Sequence, residues 1–290
     1  MSDSTPHISV IVPHYNDLVS LDHCLNCLMA QTLPCERFEV IVADNNSRCG
    51  IEAVRQLAGD RANVVPAPIQ GAGPARNAGV EAARGEIFAF VDSDCYADPN
   101  WLVEGLKSLQ TADYTGGRVD TSITDPAKPT IAEAYEAVFA FNFEKYINRD
   151  KFSGTGNLFV PRKVFDVVGP FRSGVSEDIE WCHRANSKGF RLAYVPTAIV
   201  THPARVTWTA LRTKYQRIVV ENYLLNKEIP YGRLRWLIRA MAVGASPFVH
   251  MFAVFRSPRL PGLAPKVRGV IGLYAIRWYR FGAMLLEIRS

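Results

Sequence analysis

Two aspartates one residue apart, Asp92 and Asp94, close the apolar run Ile87-Phe88-Ala89-Phe90-Val91. Carboxylates at that spacing are hard oxygen donors of the kind that hold Mg²⁺ or Mn²⁺. A D-x-D also arises by chance in solvated turns, and here it is the apolar strand in front of it that favours a site. Asp178 stands in Ser176-Glu177-Asp178, where a helical pattern begins, and Trp181, Cys182 and Ala185 follow at three, four and seven residues. It therefore shares a helix face with side chains that pack inward. The bland reading is that Ser176 is an N-cap and the acids stabilise the first turn. Asp44 ends the run Phe38 to Ala43 and opens Asp44-Asn45-Asn46-Ser47, residue types that suit turns and caps as well as ligand contact. His202 follows a predicted strand, a place where histidine serves structure as readily as ligation.

The elements that must position these residues alternate between strand and helix. Ile8 to Val12 is a buried strand ending in the polar loop Pro13-His14-Tyr15-Asn16-Asp17, and a helix follows over 18–31. A second strand (38–43), a helix (51–57) and a short strand (63–66) lead to the stretch Gln70 to Asp98. That stretch reads as a glycine-containing loop, a helix from Pro74 to Ala83 stopped by Gly85 as C-cap, and the strand 87–91. Alternation of this kind implies a parallel sheet with right-handed crossovers. Tyr15, Asp44, Asp92 and Asp94 then share the carboxyl edge of the sheet, where open α/β folds bind ligands. A dehydrogenase-type dinucleotide fold is excluded by its glycine fingerprint, which belongs after the first strand. Here Gly71-x-Gly73 follows the third strand, and Arg76 holds the third glycine position. Further on, the pattern predicts a helix (101–109), a strand (114–119), one aromatic-rich helix (132–146), a short helix (161–168) and two short strands (191–195 and 199–200). Gly154 and Gly156 mark either a close backbone approach to a ligand or a bulge or hairpin tip.

With 290 residues, 48% of them hydrophobic, the chain can bury a sizeable core in one large domain or two small ones. A mean hydropathy of −0.01 excludes a disordered chain and a polytopic membrane protein. Net charge is +5, but from Arg205 onward 15 Lys+Arg face 3 Asp+Glu, a net of +12 that leaves −7 on the residues before it. A basic tail on an acidic body points to an anionic partner, lipid surface or nucleic acid. MSDSTPH is polar and the first apolar run is short, so no signal peptide is expected and the chain is placed in the cytoplasm. The six cysteines are scattered, and Cys24-x-x-Cys27 has no second pair; they read as reduced, packed thiols.

Taken in order, Val-Ile-Val-Pro13-x-Tyr15-Asn16, Asp44, Gly73-Pro-Ala75-Arg76-Asn77-x-Gly79, Phe90-x-Asp92-x-Asp94, Gly-Thr-Gly156-Asn157, Glu177-Asp178-x-Glu180-x-x-x-Arg184 and His202 resemble the family 2 inverting glycosyltransferases. The resemblance covers about Ile8 to His202. It implies an α/β GT-A fold, with a Rossmann-like, mainly parallel central sheet and helices on both faces, over residues 1–204. Residues 205–290 become a basic, helical C-terminal extension. It also implies transfer of a sugar from a nucleotide-diphospho-sugar, a UDP-sugar by expectation, with Mn²⁺ or Mg²⁺ as cofactor, to a saccharide or lipid-linked saccharide such as those of bacterial surface polysaccharides. In that scheme Asp178 is the catalytic base, Asp94 the principal metal ligand and His202 a second one. Pro13, Tyr15, Asn16, Asp44, Arg76, Asp92 and Ser93 face the donor: Asp44 accepts from the base edge, Asp92 binds the ribose or shares the metal, and Arg76 sits near the sugar or diphosphate. Gly156, Asn157, Glu177 and Trp181 face the acceptor. A fold-retaining module that binds nucleotide-sugar or membrane without catalysis is the competing reading.

Two departures bear on specificity. The family's Asp-Asp-Gly-Ser is here Asp44-Asn45-Asn46-Ser47, and the Gln-x-x-Arg-Trp of processive members is Gly232-Arg-Leu-Arg235-Trp236. A single transfer per acceptor is therefore expected.

After Ala204 the pattern predicts helices over 206–227, 234–255 and 270–288. The uncharged segment 240–249 is ten residues long, and even 240–255 is 16, whereas about 20 are needed to cross a bilayer. Arg interleaved with Trp236, Trp278, Tyr274, Tyr279 and Phe281 suits helices lying in a membrane interface at the inner face of the cell membrane; packed helices with a solvated basic face remain the alternative. No nucleic-acid recognition motif is present, so that class of partner is not expected.

Overall fold

The computed structural model describes residues 7–289, and the polar MSDSTP segment expected to be no signal peptide lies outside the described residues. In chain order the elements are β1 (Ile8–His14), α1 (Leu18–Met29), β2 (Phe38–Asp44), α2 (Ile51–Ala58), β3 (Asn63–Pro66), α3 (Ala72–Ala82), β4 (Ile87–Phe90), β5 (Tyr96–Ala97), α4 (Trp101–Ser108), β6 (Tyr114–Ser122), α5 (Ile131–Phe139), α6 (Phe143–Asn148), β7 (Leu158–Pro161), α7 (Arg162–Val168), α8 (Glu177–Ser187), β8 (Leu192–Pro203), α9 (Trp208–Lys227), α10 (Gly232–Arg256) and α11 (Leu263–Arg289).

The eight strands form one sheet in the order β3-β2-β1-β4-β7-β6-β8-β5. The fold is α/β as expected, and β3, β2, β1 and β4 are parallel. The second half is not: β7 is antiparallel to both β4 and β6, and β5 is antiparallel to β8. Parallel pairing needs a crossover, usually helical, between the strands, and the unit repeats only through β4. The parallel strands put the ends of β1, β2 and β4 on one edge, with His14 in register with Asp44.

The chain divides into two compact units. One comprises Met1–Asp120 and Asn142–His202, the other Thr121–Phe141 and Pro203–Ser290, so residues 121–141 group with the C-terminal region and not with the rest of 1–204. The first unit is centred on Ile11, Phe88, Phe90, Tyr114, Leu158 and Trp181, all without accessible surface. Helix α3 lies close to β1 because Gly79 has no side chain: a Cβ there would stand 2.6 Å from Ile11 Cγ2. Gly85 is not the C-cap of α3, a position taken by Ala83. Its amide donates to Ser9 Oγ at 2.9 Å, and a Cβ would meet the Ser9 amide nitrogen at 2.6 Å, so its value is close approach to β1.

The single helix expected over 132–146 is two. Thr130 and Glu133 form a reciprocal capping box that starts α5, and the chain breaks at Phe141, whose φ is 51°. The two strands expected between 191 and 200 are one, β8. In the second unit Tyr135, Leu211, Tyr215, Leu273 and Ile276 pack together, as do Tyr223, Trp236, Ala240 and Met284. By length and composition, one helix among the described residues, α10, is apolar enough to cross a membrane, with a mean hydropathy of 1.5 over its most apolar window.

Candidate functional site

The parallel edge collects polar side chains because the apolar runs 10–12 of β1, 40–43 of β2 and 87–91 at β4 stop there. At the end of β1, Asn16 adopts a left-handed φ of 64° and ties two loops together. Its amide donates to Ser47 Oγ at 2.9 Å, and its Oδ1 accepts from the Arg48 amide at 2.7 Å. Asp44 is buried, with Oδ1 3.2 Å from His14 Nδ1 and Oδ2 accepting from the Ser47 amide at 3.3 Å. Ser47 Oγ lies 3.3 Å from the same His14 nitrogen. Asn45 fixes the next loop: its Nδ2 donates to the carbonyls of Ala67 and Ile69, both at 2.7 Å, and its Oδ1 accepts from the Gly71 amide at 2.8 Å. Pro13 is partly buried, whereas Tyr15 is about half exposed at the rim. His14 and Ser47 were not singled out by sequence. Aligning the ends of β1 and β2 would have placed His14 beside Asp44.

Helix α3 sets Arg76 into the middle of the site with 4% of its side chain exposed. One terminal nitrogen donates to Asp92 Oδ1 at 2.5 Å and the other to Glu177 Oε1 at 2.7 Å. Burial alone disfavours the cation, but Asp92, Glu177 and Asp178 outweigh it and raise the Arg76 pKa above its ordinary value. Two neighbours hold this geometry. Gly73 permits close contact, since a Cβ would meet the Arg172 carbonyl oxygen at 2.8 Å, and Asn77 exchanges two 2.9 Å hydrogen bonds with the backbone of Phe171.

Beyond β4, ligand atoms of Asp92, Asp94 and Cys95 lie within 4.8 Å of one another, and Ser93 between them is partly buried. His202 Nε2 is 3.2 Å from Asp94 Oδ2. Two carboxylates and an imidazole fit a hard or borderline divalent cation. Cys95 adds a soft donor, and burial first, then the two aspartates, push its thiol well above the ordinary range and keep it protonated. Arg76 already engages Asp92, whereas the Asp94 side chain is 42% exposed, so Asp94 is the more accessible carboxylate.

The loop before β7 closes on this cluster. A Cβ on Gly156 would lie 2.9 Å from Asp92 Oδ2, so glycine is what lets the backbone reach the carboxylate. Asn157 has no accessible surface. Its Oδ1 accepts from Trp101 Nε1, and its Nδ2 donates to the carbonyls of Arg118 and Ala198, all at 2.9 Å. Its observed work is to hold the loop, not to face an acceptor.

Glu177 and Asp178 occupy the first turn of α8, where carboxylates favour the helix dipole. Ser176 is the N-cap residue but makes no side-chain cap bond. Asp178 is partly buried, and its Oδ1 accepts from the Ile179 amide at 2.8 Å. Trp181 does not line the site: it is fully buried and its indole N–H donates to the Gly169 carbonyl at 2.8 Å. The inward helix face read from Trp181, Cys182 and Ala185 explains why, and the acceptor role expected of Trp181 gives way to packing behind the helix. Arg184 is structural as well, pairing with both oxygens of Glu180 at 2.9 Å and donating to the Pro170 carbonyl at 2.8 Å. The Gly232-Arg-Leu-Arg235-Trp236 segment belongs to the other unit, where Trp236 is buried and donates to the Met284 carbonyl at 3.0 Å.

The first unit thus brings Asp44, Arg76, Asp92, Asp94, Gly156, Glu177, Asp178 and His202 to one edge of its sheet. The family model described as glycosyl transferase family 2 matches residues 9–179. Glycosyltransferase AglE of Haloferax volcanii is 34% identical over 224 residues, covering 74% of this chain and 73% of that protein. The putative glycosyltransferase EpsH of Bacillus subtilis is 27% identical over 235 residues, covering 76% of this chain and 67% of its own length. Among solved structures, the mannosyltransferase PcManGT of Pyrobaculum calidifontis, in complex with GDP-Man and Mn²⁺, superposes with a TM-score of 0.62 at 18% identity, covering 99% of this chain and 88% of that one. At that identity the likeness is one of fold.

Proposed function

Because the chain belongs to glycosyl transferase family 2, we propose that it moves one sugar per acceptor from a nucleotide-diphospho-sugar to a saccharide or lipid-linked saccharide, inverting the anomeric carbon. The observation that carries this reading is Arg76. By bridging Asp92 and Glu177 at 2.5 and 2.7 Å, it ties the acidic edge after β4 to the turn that bears Asp178. A group that holds a leaving diphosphate and a group that takes a proton then stand in one fixed frame, as group transfer requires.

In this reading Asp94 and His202, with Asp92, hold Mn²⁺ or Mg²⁺, and such a cation neutralises charge developing on the diphosphate leaving group. Asp44, steadied by His14 and Ser47, accepts from an N–H of the base. UDP-sugars are the first expectation; guanine also offers N–H donors, and PcManGT was solved with GDP-Man. Tyr15, Asn16, Pro13 and Ser93 border the donor, and Arg76 offsets negative charge beside it. Asp178 removes the acceptor hydroxyl's proton as that oxygen attacks the anomeric carbon from the face opposite the diphosphate. Positive charge builds on the sugar ring in that step, as in other glycosyl transfers. Gly156 and Glu177 border the acceptor side. The setting is the cytoplasm, with peripheral contact of residues 205–290 at the inner face of the membrane.

The test is a panel of UDP- and GDP-sugars with and without Mn²⁺, read by thermal shift and by turnover. One donor should raise the melting temperature only with metal. Asp178→Asn should keep that shift and lose about 10²-fold or more in turnover. Near-normal turnover in that variant would overturn the mechanism, and donor binding in every variant without transfer would favour the non-catalytic alternative.

A further inference from the structure

Helix α10 has two apolar faces, and only one is used. Trp236, Ala240, Val243, Pro247 and Val254 are buried, within a unit where α10 packs against α11 and α9. On the opposite side Leu234, Ile238, Met241, Phe248, Phe252 and Phe255 are each 41–61% exposed. Their spacings of four, three, seven, four and three residues draw a single stripe along the helix. Exposed apolar area that is continuous, and not scattered singly, marks an interaction surface.

Charge identifies the occupant. Residues 229–286 contain nine Arg or Lys and no Asp or Glu. Arg233, Arg235 and Arg239 flank the start of the stripe, and Arg256 and Arg259 flank its end. A second copy of the chain would set these cations against each other, which is unfavourable. An anionic lipid leaflet satisfies both features at once, with headgroups for the arginines and acyl chains for the stripe. The geometry also fixes the mode. A crossing helix would carry its packing partners with it, and those hold Arg212, Lys214, Arg217, Arg277 and Arg280, whose charges are costly in hydrocarbon.

We propose that α10 docks in the plane of an anionic membrane, sinking its Leu234-to-Phe255 stripe into one leaflet without crossing it. This deepens the membrane half of the reading above and does not depend on its sugar-transfer half, because the test contains no donor. The full-length protein is floated with phosphatidylcholine vesicles with and without phosphatidylglycerol, at low and high salt, and the bound fraction is washed with alkaline carbonate. Expected is flotation with anionic vesicles, loss at high salt, and release by carbonate. Phe248→Glu/Phe252→Glu should weaken binding at least about tenfold with unchanged melting temperature. Arg233→Gln/Arg235→Gln, which leaves the stripe intact, should shallow the salt dependence. Failure to float on anionic vesicles, carbonate-resistant binding, or a solution dimer that the stripe variant dissociates would each overturn the proposal.

Discussion

His202 Nε2 lies 3.2 Å from Asp94 Oδ2, so the last residue of the first unit, on β8, reaches the acid between β4 and β5. Asp94 stands two residues before Tyr96 of β5, which pairs with Thr201 of β8, so the antiparallel β5–β8 pairing brings the two side chains together. Within the proposed metal site, His202→Ala should raise the Mn²⁺ concentration needed for half-maximal donor-induced stabilisation by about 10–100-fold. Chelation should abolish turnover and added Mn²⁺ restore it. An unchanged Mn²⁺ titration in the alanine variant would remove His202 from the ligand set.

Arg76 is held by two carboxylates, and its removal leaves them facing each other. Breaking a fully buried pair costs about 3–5 kcal/mol. Here Asp92 is 36% and Glu177 16% exposed, and solvent screening lowers the expected loss for Arg76→Met to about 2 kcal/mol. Arg76→Lys keeps the charge but not the fork that spans both partners. It should recover part of the stability, measured by urea unfolding, and little of the turnover. Full turnover in the lysine variant would show that charge alone suffices.

The parallel half of the sheet was legible because its strands carry short apolar runs that stop at the polar edge. The positions of Asp44, Asp92 and Asp94 at that edge follow from the sequence alone. The break at Phe141 was not legible, since nothing in Ala140-Phe141-Asn142 announces a left-handed residue and an aromatic-rich stretch reads as continuous helix. β8 runs unbroken through Pro196 where two strands are expected: β5 reaches only Thr201 and Val200, so no β5 hydrogen bond is lost at the proline. Trp181 and Asn157 show the limit of motif transfer: both lie in the right segment, but their side chains support it from within.

The last prediction concerns Glu136, whose side chain has no exposed surface and whose Oε1 lies 2.7 Å from Lys214 Nζ and 3.2 Å from Arg205. Its Oε2 also accepts from the Arg205 amide at 2.7 Å. Burial by itself would raise the carboxyl pKa, but Lys214 and Arg205 outweigh it and hold it below the ordinary 4.5. A carboxyl depressed in the folded state leaves the unfolded chain binding more protons across that window. Its contribution is therefore complete above about pH 4.5 and is lost as pH falls through the folded value. Lys214 carries the same sign in a higher window: burial drives its pKa from 10.5 down to about 8, so from this group too stability rises with pH between those values. Because Lys214 can shed its proton when its partner is gone, Glu136→Gln should cost about 2–4 kcal/mol at pH 7, toward the low side for a buried pair. The gap between wild type and variant should then close below pH 4.5 in melting curves recorded from pH 7 down to about pH 3.5. Parallel curves over that range would mean that Glu136 is not the residue that couples this helical unit to acid.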